Sequence, residues 1–237
     1  MSRPTVLLLH AFPLDSRMWE GTRSRLEAEG WDAVAPDLPW DEGERGFATW
    51  ADRVLELLGG DLIPVGISMG GYLAFALWRR AHERIRALVL VDTRATPDSP
   101  EAKTGRDELI QVVLDRGPEG LWERNSPKLF GVTASHETVS QARRIALEQR
   151  PASLITTLET IRDRDDARPL LAAIDVPALV VVGDEDKLTP PSDSEALAEA
   201  LPNARLVRIP DSGHLPPLEQ PDTFERELVD FLATLTA

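Results

Sequence analysis

The sequence predicts an α/β protein with a mostly parallel, doubly wound sheet. Short apolar segments recur along the chain, and each is followed by a segment with helical periodicity. These apolar segments are continuous rather than alternating with polar residues, which is typical of parallel strands covered by helices on both faces. Repeated strand–helix alternation is the pattern of a doubly wound sheet.

Six strands are predicted, each from one apolar segment. In chain order they are TVLLLH (5–10), DAVAPD (32–37), DLIPVGI (61–67), RALVLVD (86–92), PALVVVG (177–183) and ARLVRIP (204–210). Helices are predicted between and after them, over 16–29, 48–58, 69–81, 191–200 and 222–235.

The interval between the fourth and fifth predicted strands is different. From Thr93 to about Val176 the spacing is helical throughout, and Pro97, Pro100, Pro118, Pro127 and Pro151 punctuate it as helix boundaries do. The sequence therefore predicts an all-helical insertion. It divides the chain into a core, 1–94 and 171–237, and an inserted helical segment, 95–170.

Composition excludes several classes of function. The 237 residues include 40 acidic and 26 basic side chains, for a net charge of −14, and such a surface repels nucleic-acid phosphates. The chain has no cysteine, so thiolate nucleophiles, disulfides and thiolate-bound metals are excluded. The N-terminal apolar run VLLL is too short for a signal peptide or a membrane span, which favours a cytoplasmic protein without membrane contact.

The stretch GISMG, residues 66–70, follows the third predicted strand and matches the G-x-S-x-G pattern of a nucleophile elbow. A sharp strand-to-helix turn crowds the positions two before and two after its central residue, so both need to be small. Ser68 would then lie at a helix N-terminus, where backbone N–H groups favour a developing oxyanion. By itself the stretch also fits an ordinary glycine-rich turn.

A catalytic serine needs a base, and His214 has the position expected of one. It lies late in the chain, in a polar loop just after the last predicted strand, where open α/β sheets bind ligands. The other three histidines have plainer settings: His10 closes the first strand, His82 ends the helix after Ser68, and His136 starts an inserted helix.

The base needs an acid to orient it. Asp184, Glu185 and Asp186 follow the fifth predicted strand and supply candidates, although a surface acidic cluster or a metal site would also use such residues. The order serine, acid, histidine is that of the α/β-hydrolases.

The chain resembles the α/β-hydrolase superfamily over nearly its whole length, through LLLHAFPLDSRMWE, PVGISMGGYLAF, VVVGDEDKLTPP and DSGHLPPLEQPDTF. It looks most like small bacterial carboxylesterases, 3-oxoadipate enol-lactonases and cofactor-free perhydrolases. The resemblance implies an α/β-hydrolase fold and a triad of Ser68, Asp186 and His214, with Glu219 and Pro221 completing the histidine motif. It implies neither a metal nor a cofactor.

The resemblance further implies oxyanion donors at the backbone N–H groups of Phe12 and Met69, and a lid formed by the inserted helices. The residues it suggests for an acyl or alcohol pocket are Leu14, Trp122, Phe130, Leu188 and Leu215. Arg94 is a candidate for binding a substrate carboxylate or for a surface ion pair.

Two stretches depart from the family pattern. Ala11 stands where glycine is commoner, which matters only if that residue needs a positive φ. The sequence DTRATPD follows the fourth strand where the enol-lactonases have Asn-Thr-Ala.

The function expected is hydrolysis of a small-molecule carboxylic ester through an acyl-enzyme. The alternatives are an enol-lactone hydrolase, a cofactor-free perhydrolase or haloperoxidase with the same triad, and a ligand receptor or partner-binding module that retains the triad without efficient turnover.

Overall fold

A computed structural model describes residues 3–38 and 43–235 of the chain. Its sheet has six strands, all mutually parallel, in the order β2-β1-β3-β4-β5-β6. The strands are β1 Thr5–Leu9, β2 Ala33–Val34, β3 Leu62–Ile67, β4 Leu88–Val91, β5 Ala178–Gly183 and β6 Ala204–Ile209. Each predicted strand segment thus contributes one strand, and the parallel sheet is confirmed.

The helices lie on both faces of this sheet. They are α1 Glu20–Ala28, α2 Phe47–Leu57, α3 Met69–Ala81, α4 Pro100–Leu129, α5 His136–Leu147, α6 Pro151–Arg162, α7 Arg168–Leu171, α8 Pro191–Ala200, α9 Pro216–Glu219 and α10 Pro221–Thr234. Short 3₁₀ turns at Ser16–Trp19 and His82–Arg84 precede α1 and follow α3.

The core consists of two layers, one on each face of the sheet. Successive strand residues point to opposite faces, and in β1 Val6 and Leu8 enter one layer while Leu7 and Leu9 enter the other. The first layer is closed by α1, α5 and α10, the second by α2, α3 and α8. Because both faces are covered, the central strands are apolar throughout, as the sequence predicted.

The second strand is much shorter than predicted. Only Ala33 and Val34 pair with β1, whereas the predicted strand extended over 32–37. Pro36 has no N–H to give to a ladder, and the chain beyond it leaves the sheet at this edge. The N–H of Leu38 is bonded instead to Nε2 of His10, at 2.9 Å.

Helices occupy the interval between β4 and β5. Pro100 and Pro151 stand in the first turns of α4 and α6, as boundary prolines do. Pro127, predicted as a boundary, lies inside the last turn of α4 instead. The helix α4 is kinked at Gly117, whose φ of 63° and ψ of −159° interrupt the helical backbone just before Pro118.

No helix in the part of the chain that the structure describes is both long and apolar enough to cross a membrane.

Candidate active site

The predicted site residues converge at one edge of the sheet because all six strands run in the same direction. Phe12 follows β1, Ser68 follows β3, Asp186 follows β5 and His214 follows β6. Parallel strands place their carboxyl ends together, so residues far apart in sequence meet there. Ser68 and His214 line a single cavity of about 220 Å³.

Ser68 is held in a strained backbone conformation between β3 and α3. Its φ of 52° and ψ of −112° lie outside the regions that non-glycine residues favour. The neighbouring strand β4 fixes the turn: Ser68 N–H donates to the Val91 carbonyl at 2.9 Å, and the Thr93 hydroxyl donates to the Ser68 carbonyl at 2.8 Å. The serine is therefore positioned by the sheet at the first turn of α3.

The small residues around Ser68 are required by close backbone approach. A Cβ on Gly66 would lie 2.3 Å from the Gly70 carbonyl oxygen, and one on Gly70 would lie 2.1 Å from the Leu9 carbonyl oxygen. Both contacts are with backbone, which has no room to move aside. Glycine at these two positions lets the turn fold tightly against β1.

His214 is hydrogen-bonded to Asp186, with Nδ1 2.8 Å from Oδ2, and both side chains are almost completely buried. The Asp186 carboxylate also accepts hydrogen bonds from the Leu188 N–H at 2.7 Å, the Thr189 N–H at 3.2 Å and the Thr189 hydroxyl. Burial alone would raise the pKa of Asp186, but the positive charge of a protonated His214 and these donors outweigh it and lower that pKa to about 2. The surroundings of Asp186 therefore favour its ionised form.

The other two acids of the DED stretch have separate partners. Asp184 forms an exposed ion pair with Arg208, whose Nε lies 2.6 Å from Oδ1. Glu185 accepts the Val132 N–H at 2.6 Å. Among Asp184, Glu185 and Asp186, the structure brings Asp186 alone to His214.

Glu219 holds the loop that carries His214. Its carboxylate accepts the N–H groups of Gly213 at 3.0 Å and Leu215 at 3.1 Å, on either side of the histidine, and that of Gly131 at 2.7 Å. The His214 N–H itself donates to the Leu129 carbonyl at 3.0 Å. The loop is therefore tied to the C-terminal end of α4.

Asp92 is a site residue that the sequence analysis missed. It is fully buried just after β4, accepts the Gly183 N–H at 3.0 Å through Oδ1, and brings a carboxyl oxygen within 4.8 Å of ligand atoms of Asp186 and His214. Burial, and then the negative charge of Asp186, raise the pKa of Asp92 well above its ordinary value. Its other oxygen, Oδ2, is buried and has no hydrogen-bond partner in the part of the chain described. An acid directly after a strand, in DTR, was the available signal.

Asp92, Asp186 and His214 are also the three described residues whose grouping would suit a metal ion. Their hydrogen bonds describe a different arrangement, because His214 Nδ1 faces Asp186 and Asp92 accepts the Gly183 N–H. The contacts of the cluster orient an imidazole.

The two N–H groups expected to stabilise an oxyanion belong to Phe12 and Met69. Met69 is the first residue of α3 and Phe12 lines the cavity. Within residues 3–38 and 43–235, neither N–H has an intramolecular acceptor. Ala11 is not among the described residues with positive φ, so its β-carbon costs the loop nothing.

His10 fixes the loop that carries Phe12. Its Nε2 accepts the Leu38 N–H, so Nδ1 carries the proton and donates to the Ala11 carbonyl at 3.1 Å. Complete burial lowers the pKa of His10 below 6.5, which keeps the ring neutral and this tautomer fixed. This role was not apparent from its position at the end of a strand.

Of the five residues predicted to line a pocket, only Leu188 is among the described residues around the cavity. Leu14 borders a small neighbouring cavity behind Phe12. The prediction was wrong for Trp122, Phe130 and Leu215, which are not among the residues around this cavity. They pack in the core layer beside α5 and α10, because apolar side chains there are buried against the sheet. Tyr72, Leu129 and Ile161 line the cavity instead.

A second cavity, of about 270 Å³, lies behind the wall formed by Tyr72, Arg94 and Arg164, which it shares with the first. Ser68 and His214 border only the smaller of these two cavities, so the reactive groups identify the smaller one as the candidate active site.

Arg94 forms the ion pair considered for it and also lies at the cavity. Its guanidinium forms an ion pair with Asp193 at 3.2 Å, and the same side chain borders the cavity that holds Ser68.

Comparisons with known proteins agree with this fold. The model of the alpha/beta hydrolase family matches residues 6–227. A pimeloyl-[acyl-carrier protein] methyl ester esterase from Aromatoleum aromaticum is 32% identical over 240 residues, covering 94% of this chain and 95% of the relative.

Two solved structures are similar over the whole fold. A thermophilic esterase from Thermogutta terrifontis, with malate bound, is 35% identical with a TM-score of 0.95, covering 100% of this chain and 92% of that one. The enol-lactonase from Burkholderia xenovorans LB400 is 26% identical with a TM-score of 0.85, covering 98% and 92%. The chain belongs to the alpha/beta hydrolase family.

Proposed function

We propose that this protein is a serine hydrolase that cleaves carboxylic esters of small molecules, with Ser68 as nucleophile, His214 as base and Asp186 as the orienting acid. The observation that carries the proposal is the meeting of two features at one cavity: a serine on a strained elbow and a buried, hydrogen-bonded histidine–aspartate pair. The similarity to named esterases supports ester cleavage as the reaction.

The attack begins with proton transfer from Ser68 to His214. Because Asp186 accepts the hydrogen on Nδ1, the neutral imidazole presents an unprotonated Nε2 to the cavity. Nε2 removes the hydroxyl proton as Oγ attacks the ester carbonyl. The imidazolium that forms is stabilised by Asp186, which stays ionised because its pKa is low.

The negative charge that develops on the carbonyl oxygen is stabilised by the N–H groups of Phe12 and Met69. The first turn of α3 adds its favourable dipole. Since neither N–H has an acceptor within the described parts of the chain, both are available to the oxyanion without breaking an existing hydrogen bond. His214 then protonates the leaving alcohol, and a water molecule activated by the same imidazole releases the acid from the acyl-enzyme.

The helical segment 95–170 serves as the cap of this site. Ala102, Arg106, Asn125 and Leu129 from α4, and Ile161 from α6, border the cavity opposite the sheet edge. The cap thus sets the size and polarity of the space in which the substrate is held, while the sheet positions the reacting groups.

Replacement of Ser68 tests the proposal. Ser68→Ala is expected to lower turnover of p-nitrophenyl acetate by about 10⁴-fold or more and to abolish labelling by a fluorophosphonate, with an unchanged melting temperature. Ser140→Ala is the matched control: Ser140 is an exposed serine on α5 that also contacts a histidine, His136, but lies away from the cavity. Near wild-type turnover by Ser68→Ala would refute the assignment.

The time course of ester hydrolysis and a separate peracid assay distinguish the alternatives. Steady turnover supports an esterase, whereas a single burst followed by a stalled acyl-enzyme indicates a receptor. Peracid formation from hydrogen peroxide and a short carboxylic acid indicates a perhydrolase. The DTRATPD stretch, which departs from the lactonase run, argues against an enol-lactone substrate, and turnover of an enol-lactone beside an open-chain ester tests this.

A further inference from the structure

The cavity that holds Ser68 and His214 has a charge opposite to that of the whole protein. Its described lining includes three guanidinium groups, Arg94, Arg106 and Arg164, and one carboxylate, Asp98. The chain as a whole has a net charge of −14. Arginine is therefore concentrated around this cavity although the protein as a whole is acidic. The hydrogen-bond partners of each guanidinium show which one is available to a ligand.

Arg164 has a structural role. Its Nε and Nη2 donate to the Thr96 carbonyl at 3.1 and 2.9 Å, and its Nη1 donates to Asp98 at 2.5 Å and to the Ile161 carbonyl at 2.9 Å. The guanidinium also lies over the ring of Tyr72, 4.3 Å from its centroid. Nearly all of its donors are used, and its charge is matched by Asp98.

The positive charge of Arg106 is consequently left without a carboxylate of its own. Its Nε donates to the other oxygen of Asp98 at 3.1 Å, but that carboxylate is already paired with the more deeply buried Arg164. Within the chain described, neither Nη atom of Arg106 has a hydrogen-bond acceptor. One carboxylate between two guanidinium groups leaves a full positive charge at the cavity wall.

Arg94 adds a further guanidinium to the cavity lining. Its Nη2 donates to the Leu188 carbonyl and approaches Asp193, which lies on α8 outside the cavity lining. Its Nε is buried and has no partner in the part of the chain described. A buried guanidinium N–H without an acceptor is costly unless a ligand supplies one.

We propose that the substrate is an ester that carries a second, free carboxylate, bound by Arg106 and Arg94 while its ester carbonyl lies at Ser68. The inference rests on the proposed function and names its substrate class: short half-esters of dicarboxylic acids. A planar carboxylate matches the paired donors of a guanidinium. The volume of about 220 Å³ is below the range of about 300–1,000 Å³ typical of drug-sized ligands, which restricts the substrate to a short chain.

The test compares monomethyl glutarate with dimethyl glutarate, two substrates of similar size of which only the first carries a charge at neutral pH. Methanol release by the purified full-length protein gives kcat/KM for each. The wild-type protein is expected to prefer the monoester. Arg106→Gln should reduce the monoester-to-diester ratio of kcat/KM by about 10–100-fold, the effect of losing a charged hydrogen bond, and Arg106→Lys should restore part of it.

Arg116→Gln is the matched control, because Arg116 lies on the same helix, pairs with Glu123 and does not line the cavity. It is expected to leave the ratio unchanged. A wild-type preference for the diester, or a ratio that Arg106→Gln leaves intact in a folded protein, would overturn the inference while the esterase assignment stands. Hydrolysis of neither ester, nor of p-nitrophenyl acetate, would overturn the proposed function itself.

Discussion

Asp184 and Asp186 lie two positions apart in one loop, but the surroundings of their carboxylates are entirely different. Asp186 is buried against His214, whereas Asp184 pairs with Arg208 at the surface. The sequence placed both after the fifth strand, and the family resemblance favoured Asp186. The side-chain contacts agree with that choice, because the chain turns at Gly183 and directs Asp186 inward, its N–H donating to the Gly183 carbonyl at 3.2 Å.

Neutralising each of these carboxylates should therefore have unequal effects. Asp186→Asn is expected to lower kcat by about 10⁴-fold, since an amide no longer fixes the tautomer or stabilises the imidazolium. Asp184→Asn removes only an exposed ion pair, worth at most about 1 kcal/mol of stability, and should leave kcat unchanged. Steady-state ester hydrolysis measures both, and the reverse order of effects would move the orienting acid to Asp184.

Asp98 and Arg106 could not be identified as site residues from the sequence, and the one signal for Asp92 was its position directly after a strand. Asp98 and Arg106 reach the cavity of Ser68 because of the way the helices between β4 and β5 pack, and sequence periodicity does not define that packing. Asp92 belongs to a stretch that was noted as a departure from the lactonase pattern. In the structure that stretch contributes Asp92 behind the acid, Thr93 at the elbow, and Arg94 and Asp98 at the cavity.

At the scale of elements, the turn from β3 into α3 depends on contact between backbones. The Gly70 α-carbon faces the last carbonyl of β1, so a side chain of any size there would push α3 away from the sheet. The requirement comes from packing between elements, and it explains why the glycine pattern around Ser68 is informative even before the fold is known.

Gly70→Ala is expected to destabilise the protein by about 3 kcal/mol, because the added carbon would meet immobile backbone, and to impair ester hydrolysis as the serine is displaced. Gly105→Ala in α4 is the contrasting variant, since nothing lies within 4 Å of its added carbon. It should raise stability by about 0.5–1 kcal/mol through helix propensity alone. Denaturant unfolding measures both, and equal effects would contradict the packing argument.

The elements themselves were largely predictable because parallel strands buried on both faces leave a strong signal. The edge strand β2 was predicted less well, since its extent depends on whether the next residues keep pairing or are bonded elsewhere, as Leu38 is to His10. Pro118, predicted as a helix boundary, follows a break in α4: the backbone of Gly117 is not helical, and a second helical arm begins at Pro118.

At the scale of the whole molecule, stability depends on pH through a few buried titratable groups. Asp92 is one of them, with a folded-state pKa well above its ordinary 3.8. The folded protein binds a proton that the unfolded chain has released, so this contribution to stability is complete below pH 3.8 and is lost as the pH rises through the folded-state pKa.

Asp92→Asn should remove this dependence, because an amide does not titrate and can still accept the Gly183 N–H. Relative to Asp92→Asn, the wild-type free energy of unfolding is expected to fall by up to about 1.4 kcal/mol per pH unit between pH 4 and the folded-state pKa. Urea unfolding at several pH values tests this, with Asp184→Asn as the exposed control. A difference between the two proteins that does not vary with pH would exclude a protonated Asp92.

The kink at Gly117 has a consequence for how this molecule can change. Both arms of α4 reach the cavity, Ala102 and Arg106 from the first arm and Asn125 and Leu129 from the second, while Ser68 and His214 follow strands of the sheet. The angle between the arms therefore sets how far apart these two parts of the lining lie. Substitutions at Gly117 or Pro118 therefore alter the shape of the cavity without changing the strands. Substrate specificity can then change during evolution while the residues that follow the strands stay in place.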